Sequence, residues 1–299
     1  MQKKKVVIIR PENREEWLKI RECGVGASEV AAVVGLSPWD TPFSLWLRKT
    51  GQAAQLEENV AMHLGSLLEP VVVQLWEEQT GFKAVKSSAK DIIYQDPERP
   101  WRKCTPDRIA YEIGDDGKRK KVLLEIKTSR SEFDPDNLPI HYVCQCQYQM
   151  HITGIHVCYL CWLASGLSYG HVRIEYDAEF AEFLVKKVDE FWNENVLGNK
   201  EPDCISVSDF AIKGSDPGTT IEADDDAFVQ ILSLRTINKA LSKDEEEAEA
   251  CKDAIKLYMG EKESITHDGQ VLATWKTGAR GRTFRLKDKV IDELIEKGE

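Results

Sequence analysis

Residues 105–128 read TPDRIAYEIGDDGKRKKVLLEIKT, and this stretch decides the fold. The segments 108–113 and 121–127 are short runs rich in apolar residues, as in β-strands. The residues GDDG at 114–117 are typical of a turn, because glycine and aspartate accept the backbone angles of a tight reversal. The stretch therefore predicts an antiparallel β-hairpin.

Three ionisable side chains of this hairpin are predicted to converge. Residues i and i+2 of a strand share a face, so Glu125 and Lys127 should project together while Ile126 turns into the core. Strand pairing should bring Asp107 toward the same end of the sheet. Two carboxylates and the Ile126 carbonyl would form a hard oxygen site of the kind that Mg²⁺ or Mn²⁺ prefers.

These groups match what phosphodiester hydrolysis needs. A metal ion polarises the phosphate and lowers the pKa of water. A lysine beside the metal can orient or help to deprotonate the water, and can stabilise charge that develops at phosphorus. The alternative for the hairpin alone is a surface element in which Glu125 and Lys127 form an ordinary pair.

The segments around the hairpin predict an α/β domain. Capping residues, glycine stops and helical periodicity predict helices at 28–34, 42–50, 57–80, 141–153 and 178–196. Further strands are predicted at 92–94, 155–163 and 171–176. This alternation is typical of a central mixed sheet flanked by helices.

The helix predicted at 57–80 has two features of its own. Pro70 should kink it beside Glu69. Its apolar stripe, which should face the core, consists of Leu64, Leu67, Leu68, Val71, Val72, Leu75 and Trp76.

A shift in composition divides the chain. Residues 198–218 are rich in Gly, Ser, Asp and Pro, which predicts a linker or an extended loop. We therefore expect a core domain at 1–205 and a C-terminal appendage at 206–299. The appendage should contain a long helix or helical hairpin at 224–259 and a β-hairpin at 264–286.

The charge and cysteine content exclude several classes of protein. The net charge of −11 argues against binding nucleic acid by bulk positive charge, so DNA binding would need a local basic path and bound cations. The eight cysteines are expected to be buried thiols, because Val6–Ile9 is too short an apolar run for a signal peptide. If the pair Cys144/Cys146 lies on a helix and the pair Cys158/Cys161 on a strand, neither pair should point both sulfurs in the same direction.

The chain also lacks the apolar run of roughly 18 residues that a membrane span requires, which predicts a cytoplasmic protein. A basic stretch near the C-terminus could follow a DNA backbone or pair with acidic neighbours in an oligomer. It consists of Lys276, Arg280, Arg282, Arg285, Lys287 and Lys289.

Six short motifs in a fixed order resemble those of a known family. They are RECGVGASE at 21–29, GLSPW at 35–39, GSLLEP at 65–70, CTPD at 104–107, LEIKT at 124–128 and YVCQCQY at 142–148. Over residues 15 to 195 the sequence resembles the phage-type alkaline exonucleases, the YqaJ-like viral recombinase family to which lambda exonuclease is related. These enzymes belong to the PD-(D/E)xK nucleases, so the resemblance implies a restriction-endonuclease-like core.

The resemblance also implies roles for residues of the site. Asp107, Glu125 and the Ile126 carbonyl would bind the catalytic metals, and Lys127 would assist the water. Glu69 would be a third carboxylate that holds a metal or orients its water, although an exposed helical acid is the alternative. Gln145 would support the site from a helix, with Gln147 and Gln149 as alternatives.

Arg21 and Ser28 resemble the pair that receives a DNA phosphate in this family, including a terminal 5′-phosphate. A helix capped by Ser28 would offer free N–H groups to an anion, and Arg21 would add a bidentate clamp. The alternative is a simple helix cap beside a surface arginine. We expect Trp39 to serve loop or core packing rather than to stack on a base.

Applied to the whole chain, the resemblance implies a 5′-to-3′ exonuclease on linear duplex DNA that leaves 3′ single-stranded tails for phage-type recombination. Mg²⁺ would be the cofactor, with Mn²⁺ as a substitute and two ions per site. The implied partners are a single-strand annealing protein and copies of the same chain, for example in a trimeric ring. The alternatives are a structure-specific or restriction-type endonuclease on the same core, an iron–sulfur nuclease, and a non-catalytic DNA-binding accessory protein.

Overall fold

The chain forms two compact units, Met1–Ser215 and Asp216–Glu299. The structure is a computed structural model, and it describes residues 6–54, 59–85, 92–114, 117–165, 168–215, 217–218, 220–278 and 281–297. All the residues predicted to form the site belong to the first unit.

A five-stranded sheet forms the centre of the first unit. Its strands, in spatial order, are β2 (Lys83–Ala84), β5 (Arg108–Ile113), β6 (Arg119–Ser129), β7 (Val157–Ala164) and β8 (Ser168–Glu175). The β6 and β7 strands are parallel and the other neighbours are antiparallel, so the predicted mixed sheet is confirmed. The parallel pair needs a crossover, which the helix α5 (Ile140–Thr153) provides.

The two faces of β6 are covered by different helices. Leu124 packs with Val72 and Trp76 of α4 (Val60–Thr80). Leu123, on the opposite face, packs with Cys146 and Met150 of α5. Because side chains alternate along a strand, Glu125 shares the α5 face with Leu123.

The helix α4 follows the predicted boundaries only in part. Asn59 caps its first turn and Gly81, with a φ of 74°, ends it, while the predicted start at Glu57 lies outside the described residues. The prediction of a core-facing apolar stripe is wrong for the first half of the helix, since Leu64 is 49% and Leu67 60% exposed. Among the described residues of this helix, only its second half is buried against the sheet.

The remaining elements of the first unit surround this sheet. The strands β1 (Val7–Ile9), β3 (Ile93–Gln95) and β4 (Lys103–Cys104) form a second, small sheet. The helices are α1 (Arg14–Glu22), α2 (Val30–Val33), α3 (Pro42–Lys49), α6 (Ala178–Glu190), which continues as a π-helix over Phe191–Leu197, and α7 (Val207–Lys213).

Ser28 is not the helix cap that the sequence predicts. A 3₁₀ turn, Ala27–Glu29, leads into α2, and Gly26 occupies the capping position without a side-chain hydrogen bond. Instead, the Gly26 amide donates to Glu29 Oε2 at 2.8 Å. A Cβ at residue 26 would lie 3.4 Å from Glu29 Oε2, so glycine leaves this carboxylate room to approach the backbone.

The first unit ends ten residues later than the composition suggests. The Thr41 hydroxyl, at the start of α3, donates to Asp209 Oδ1 of α7 at 2.7 Å. Asp209 is 1% exposed and also accepts from the Ile205 and Ser206 amides. This buried carboxylate joins α7 to the first unit.

The second unit has one more strand than predicted. Its elements are α8 (Asp225–Met259), β9 (Ser264–His267), β10 (Gln270–Gly278), β11 (Gly281–Leu286) and α9 (Asp288–Lys297). The expected β-hairpin is thus a three-stranded antiparallel sheet with β10 in the middle. Gly278 of β10 pairs with Gly281 of β11, and Arg280 of the basic stretch lies outside the described residues.

The eight cysteines are free thiols, and five of them are buried as expected. Cys23 and Cys251 are instead exposed, and Cys204 is half-buried. Cys144 and Cys146 of α5 pack in different core clusters, and so do Cys158 and Cys161 of β7, so neither pair points both sulfurs one way. Within the described part of the chain, no helix is both long and apolar enough to cross a membrane.

Candidate active site

The three ionisable residues of the hairpin lie together at one end of the central sheet. Lys127 Nζ is 2.6 Å from Glu125 Oε1, and the Ile126 amide donates to Asp107 Oδ2 at 2.7 Å. The pairing of β5 with β6 ends at Arg108 and Leu124, so the Ile126 amide has no partner on β5 and is available to Asp107. The convergence follows from strand register alone.

Two glutamines of α5 hold the Glu125 carboxylate. Gln145 Nε2 donates to Oε1 at 2.6 Å, and Gln149 Nε2 donates to Oε2 at 2.7 Å. Residues i and i+4 of a helix lie on one face, so both amides reach the same side chain. Gln147 is directed elsewhere, since it bonds the backbone at Glu175 and Asp177.

Asp107 holds a proton more tightly than an ordinary aspartate. Burial and the nearby Glu125 charge raise the pKa of Asp107 to about 8, although Lys127 and the Ile126 amide act in the opposite direction. Glu125 is itself 2% exposed. Two carboxylates in a poorly solvated site repel each other, and a bound cation would remove that repulsion.

Lys127 carries a full positive charge. Burial alone would lower the pKa of Lys127, but the charges of Glu125 and Asp107 outweigh it and raise the pKa above the ordinary value. The ammonium also donates to Gln145 Oε1 at 3.1 Å and lies 4.9 Å from the centre of the Tyr142 ring. This protonated lysine is suited to donate hydrogen bonds and to stabilise negative charge rather than to accept a proton.

Glu69 forms an ion pair with Arg108. The Glu69 side chain is buried, with 4% of its surface exposed. Arg108 pairs with Leu124 on the face that α4 covers, whereas Glu125 lies on the α5 face. The Glu69 charge still contributes to the raised pKa of Asp107. To become a metal ligand as predicted, Glu69 would have to exchange its arginine for the cation.

The chemistry of the donor set fits a divalent cation. Within the described ranges, no three His, Cys, Asp or Glu side chains are gathered into a metal-binding group. The candidate ligands are the carboxylates of Asp107 and Glu125, which lie close enough for the Glu125 charge to raise the pKa of Asp107, together with the Ile126 carbonyl. Oxygen donors of this kind, completed by water, match the preferences of Mg²⁺ and Mn²⁺.

The predicted phosphate-binding pair lies beside this site. Arg21 Nη2 donates to Ser28 Oγ at 3.2 Å. Both line a cavity of about 50 Å³ whose wall includes Lys103, Thr105 and Gln145. Gln145 therefore contacts both the cavity and the active site, because it also donates to Glu125.

Lys103 adds positive charge to the cavity and was not anticipated from the sequence. Its ammonium donates to the Ile20 and Cys23 carbonyls at 2.8 and 2.7 Å. Burial lowers the pKa of Lys103 to about 8, so it is mostly protonated at neutral pH. A lysine in a two-residue strand gives no local pattern from which its place in the cavity could be predicted.

Comparison with known proteins places the chain in a family. The model of the YqaJ-like viral recombinase domain matches residues 16–156. The Bacillus subtilis (strain 168) protein YqaJ is 30% identical over 302 residues, which cover 95% of this chain and 91% of that protein.

Two solved structures are similar at a lower level. The alkaline exonuclease LHK-Exo from Laribacter hongkongensis is 22% identical, with coverage of 62% of this chain and 93% of that one and a TM-score of 0.47. A phage-related exonuclease from Haemophilus somnus 129PT is 13% identical, with coverage of 59% and 96% and a TM-score of 0.41. These likenesses are weak, and the assignment depends on the sequence matches. By its match to the family and its full-length similarity to the Bacillus protein, the chain belongs to the YqaJ-like viral recombinase domain family.

Proposed function

We propose that this protein is a metal-dependent deoxyribonuclease that degrades linear duplex DNA from its 5′ ends. The observation that carries the proposal is the convergence of Asp107, Glu125 and Lys127 at one end of the sheet. Family membership and the resemblance to the alkaline exonucleases support the same activity.

Asp107, Glu125 and the Ile126 carbonyl would hold Mg²⁺ or Mn²⁺. When bound, such a cation supplies positive charge to the scissile phosphate and lowers the pKa of a water molecule. Two ions per site agree with the resemblance, and Glu69 would contribute to the second ion after leaving Arg108.

The protein side chains then have distinct tasks. Gln145 and Gln149 fix both oxygens of Glu125, so that its free lone pairs keep one direction. Lys127 donates hydrogen bonds to the attacking water or to the phosphate oxygens and stabilises the negative charge that develops there. Its raised pKa favours this donor role over that of a general base.

The cavity beside Gln145 supports action at a strand end. Arg21, Ser28 and Lys103 offer donors and positive charge to a terminal 5′-phosphate. A strand anchored there would present its first phosphodiester to the neighbouring carboxylates. The products would be 5′-mononucleotides and a 3′ single-stranded tail, the substrate of an annealing protein in recombination. Assembly into a ring of identical chains would keep the enzyme on its DNA.

Digestion of defined DNA tests this proposal. Linear duplex labelled at one 5′ end and covalently closed circles would be incubated with the full chain, with Mg²⁺ or with a chelator. We expect Mg²⁺-dependent release of labelled mononucleotide from linear DNA and intact circles. Cleavage of the circles would indicate an endonuclease on the same core. Binding without hydrolysis under all conditions would indicate a non-catalytic accessory protein.

A further inference from the structure

Trp39 has an exposed indole ring. All eight tryptophans lie in the described part of the chain, and Trp39, at 73% exposure, alone is more than a third exposed. Leaving so large an apolar ring in water forgoes about 2 kcal/mol or more of burial energy. An indole in this position therefore calls for an explanation other than core packing, which the sequence had suggested.

The ring stands at the end of an aromatic row that begins at the active site. Lys127 Nζ lies 4.9 Å from the centre of the Tyr142 ring, and the Tyr142 and His141 rings are 4.1 Å apart. The Trp39 ring meets His141 at 4.7 Å with an angle of 81° between the planes. This edge contact fixes the indole while most of its surface remains in solvent.

The neighbours of Trp39 are uncharged aromatic rings. Burial, and then the charge of Lys127, lower the pKa of His141, so its ring is neutral near pH 7. Tyr142 packs on its other side against Phe133, at 5.4 Å between ring centres. The group Trp39, His141 and Tyr142, here called the aromatic row, is thus an uncharged surface of packed rings beside a charged site.

We propose that Trp39, supported by His141 and Tyr142, stacks on an unpaired nucleobase of the DNA strand held at the active site. This inference rests on the proposed nuclease function. Aromatic side chains stack on any base, and this contact needs no positive charge, which is scarce in a chain with a net charge of −11. A base next to the scissile phosphate would be unpaired once the duplex end is opened.

A contact with another protein is the other use of an exposed tryptophan. The observations favour a base because the aromatic row is continuous with Lys127, which the proposed function assigns to the reacting phosphate. The protein contact is therefore an outcome of the test rather than a second proposal.

Removal of single bases from the substrate tests the stacking. Duplexes with one abasic nucleotide at successive positions from the 5′ end would be digested by the wild type and by Trp39→Ala in Mg²⁺. On intact DNA we expect Trp39→Ala to raise KM about tenfold, the effect of one lost stacking contact. At one abasic position the wild type should lose the same factor and Trp39→Ala should lose nothing further.

Two variants keep the interpretation specific. Trp39→Phe should restore most of the affinity, since a phenyl ring also stacks. Phe183→Ala removes another exposed aromatic ring, 44% exposed on α6 and stacked on Phe180, and should leave KM unchanged. Thermal melting would show that each variant is folded.

The possible failures can be told apart. No Mg²⁺-dependent hydrolysis by the wild type would contradict the proposed function itself. Hydrolysis by the wild type, with an equal penalty for Trp39→Ala on intact and on every abasic substrate, would overturn the stacking. A change in oligomeric mass in Trp39→Ala, without any dependence on the bases, would also overturn it and would assign Trp39 to a protein contact.

Discussion

At the scale of single residues, the site is dominated by the balance between two carboxylates and one ammonium. Glu125 and Lys127 lie in direct contact, and Asp107 is held by the backbone of the residue between them. This arrangement could be predicted from the sequence because it depends only on strand alternation and register. The pairing of Glu69 with Arg108 could not, because the two residues are far apart in the chain and meet only when α4 packs on the sheet.

Lys127→Ala should slow the hydrolysis step without affecting folding or DNA binding. The variant should fold and bind DNA, but its single-turnover rate should fall by at least about 100-fold, the scale of one lost electrostatic donor. Lys121→Ala, which removes an exposed lysine of the same strand, is the matched control and should keep the wild-type rate. Near-normal turnover of Lys127→Ala would contradict the role proposed for this lysine.

The pKa of Asp107 predicts how the stability of the metal-free protein depends on pH. This pKa is raised from 3.8 to about 8, so the folded state keeps a proton that the unfolded state loses. The free energy of unfolding should therefore fall as the pH rises from about 4 to about 8. Asp107→Asn cannot titrate, and its slope over this range should be smaller.

Urea unfolding in a chelator, at several pH values across that range, measures the slope. Mg²⁺ added to the wild type should reduce it, because the cation replaces the proton on Asp107. Identical slopes for the wild type and Asp107→Asn would contradict the repulsion between the two carboxylates that the structure implies.

Arg21 should determine the preference for phosphorylated ends. Its guanidinium lies at the cavity with Ser28, so Arg21→Ala should reduce the ratio of the rates on 5′-phosphate and 5′-hydroxyl ends by about tenfold or more. Arg14→Ala is a suitable control, since Arg14, like Arg21, lies over the Trp17 ring but does not line the cavity. An unchanged ratio in Arg21→Ala would count against the cavity as a phosphate site.

At the scale of elements, α5 organises the site. One face of this helix carries Gln145 and Gln149, which hold Glu125, and its first turn carries Tyr142 beside Lys127. The sequence predicted the helix and its end at Gly154, but left three glutamines as alternatives. Only the orientation of α5 on the sheet decides between them, and that orientation depends on distant packing contacts.

Gln149→Leu should weaken catalysis through Glu125. One carboxylate oxygen would lose its donor, and we expect a loss of about 10 to 100-fold in metal affinity or rate. Gln147→Leu is the matched control, because Gln147 is equally buried but bonds the backbone near Asp177. It should lower stability while leaving the metal affinity unchanged. Equal effects of both variants on metal affinity would contradict the proposal that Gln149 acts through Glu125.

At the scale of the whole molecule, the sequence predicted the class of the fold better than its boundaries. The mixed sheet follows from local patterns, whereas the end of the first unit depends on Asp209, a buried carboxylate that bonds Thr41. The exposure of Trp39 is likewise a property of the assembled domain, since the motif around it is compatible with packing inside a core.

The central claim is that Asp107 and Glu125 share a divalent cation. Mn²⁺ binding, followed by electron paramagnetic resonance, tests it most directly in the wild type, Asp107→Asn and Glu125→Gln, with Asp134→Asn as an exposed control. We predict that each site variant weakens binding at least about tenfold, while the control binds as the wild type does. Wild-type affinity in both site variants would contradict the claim.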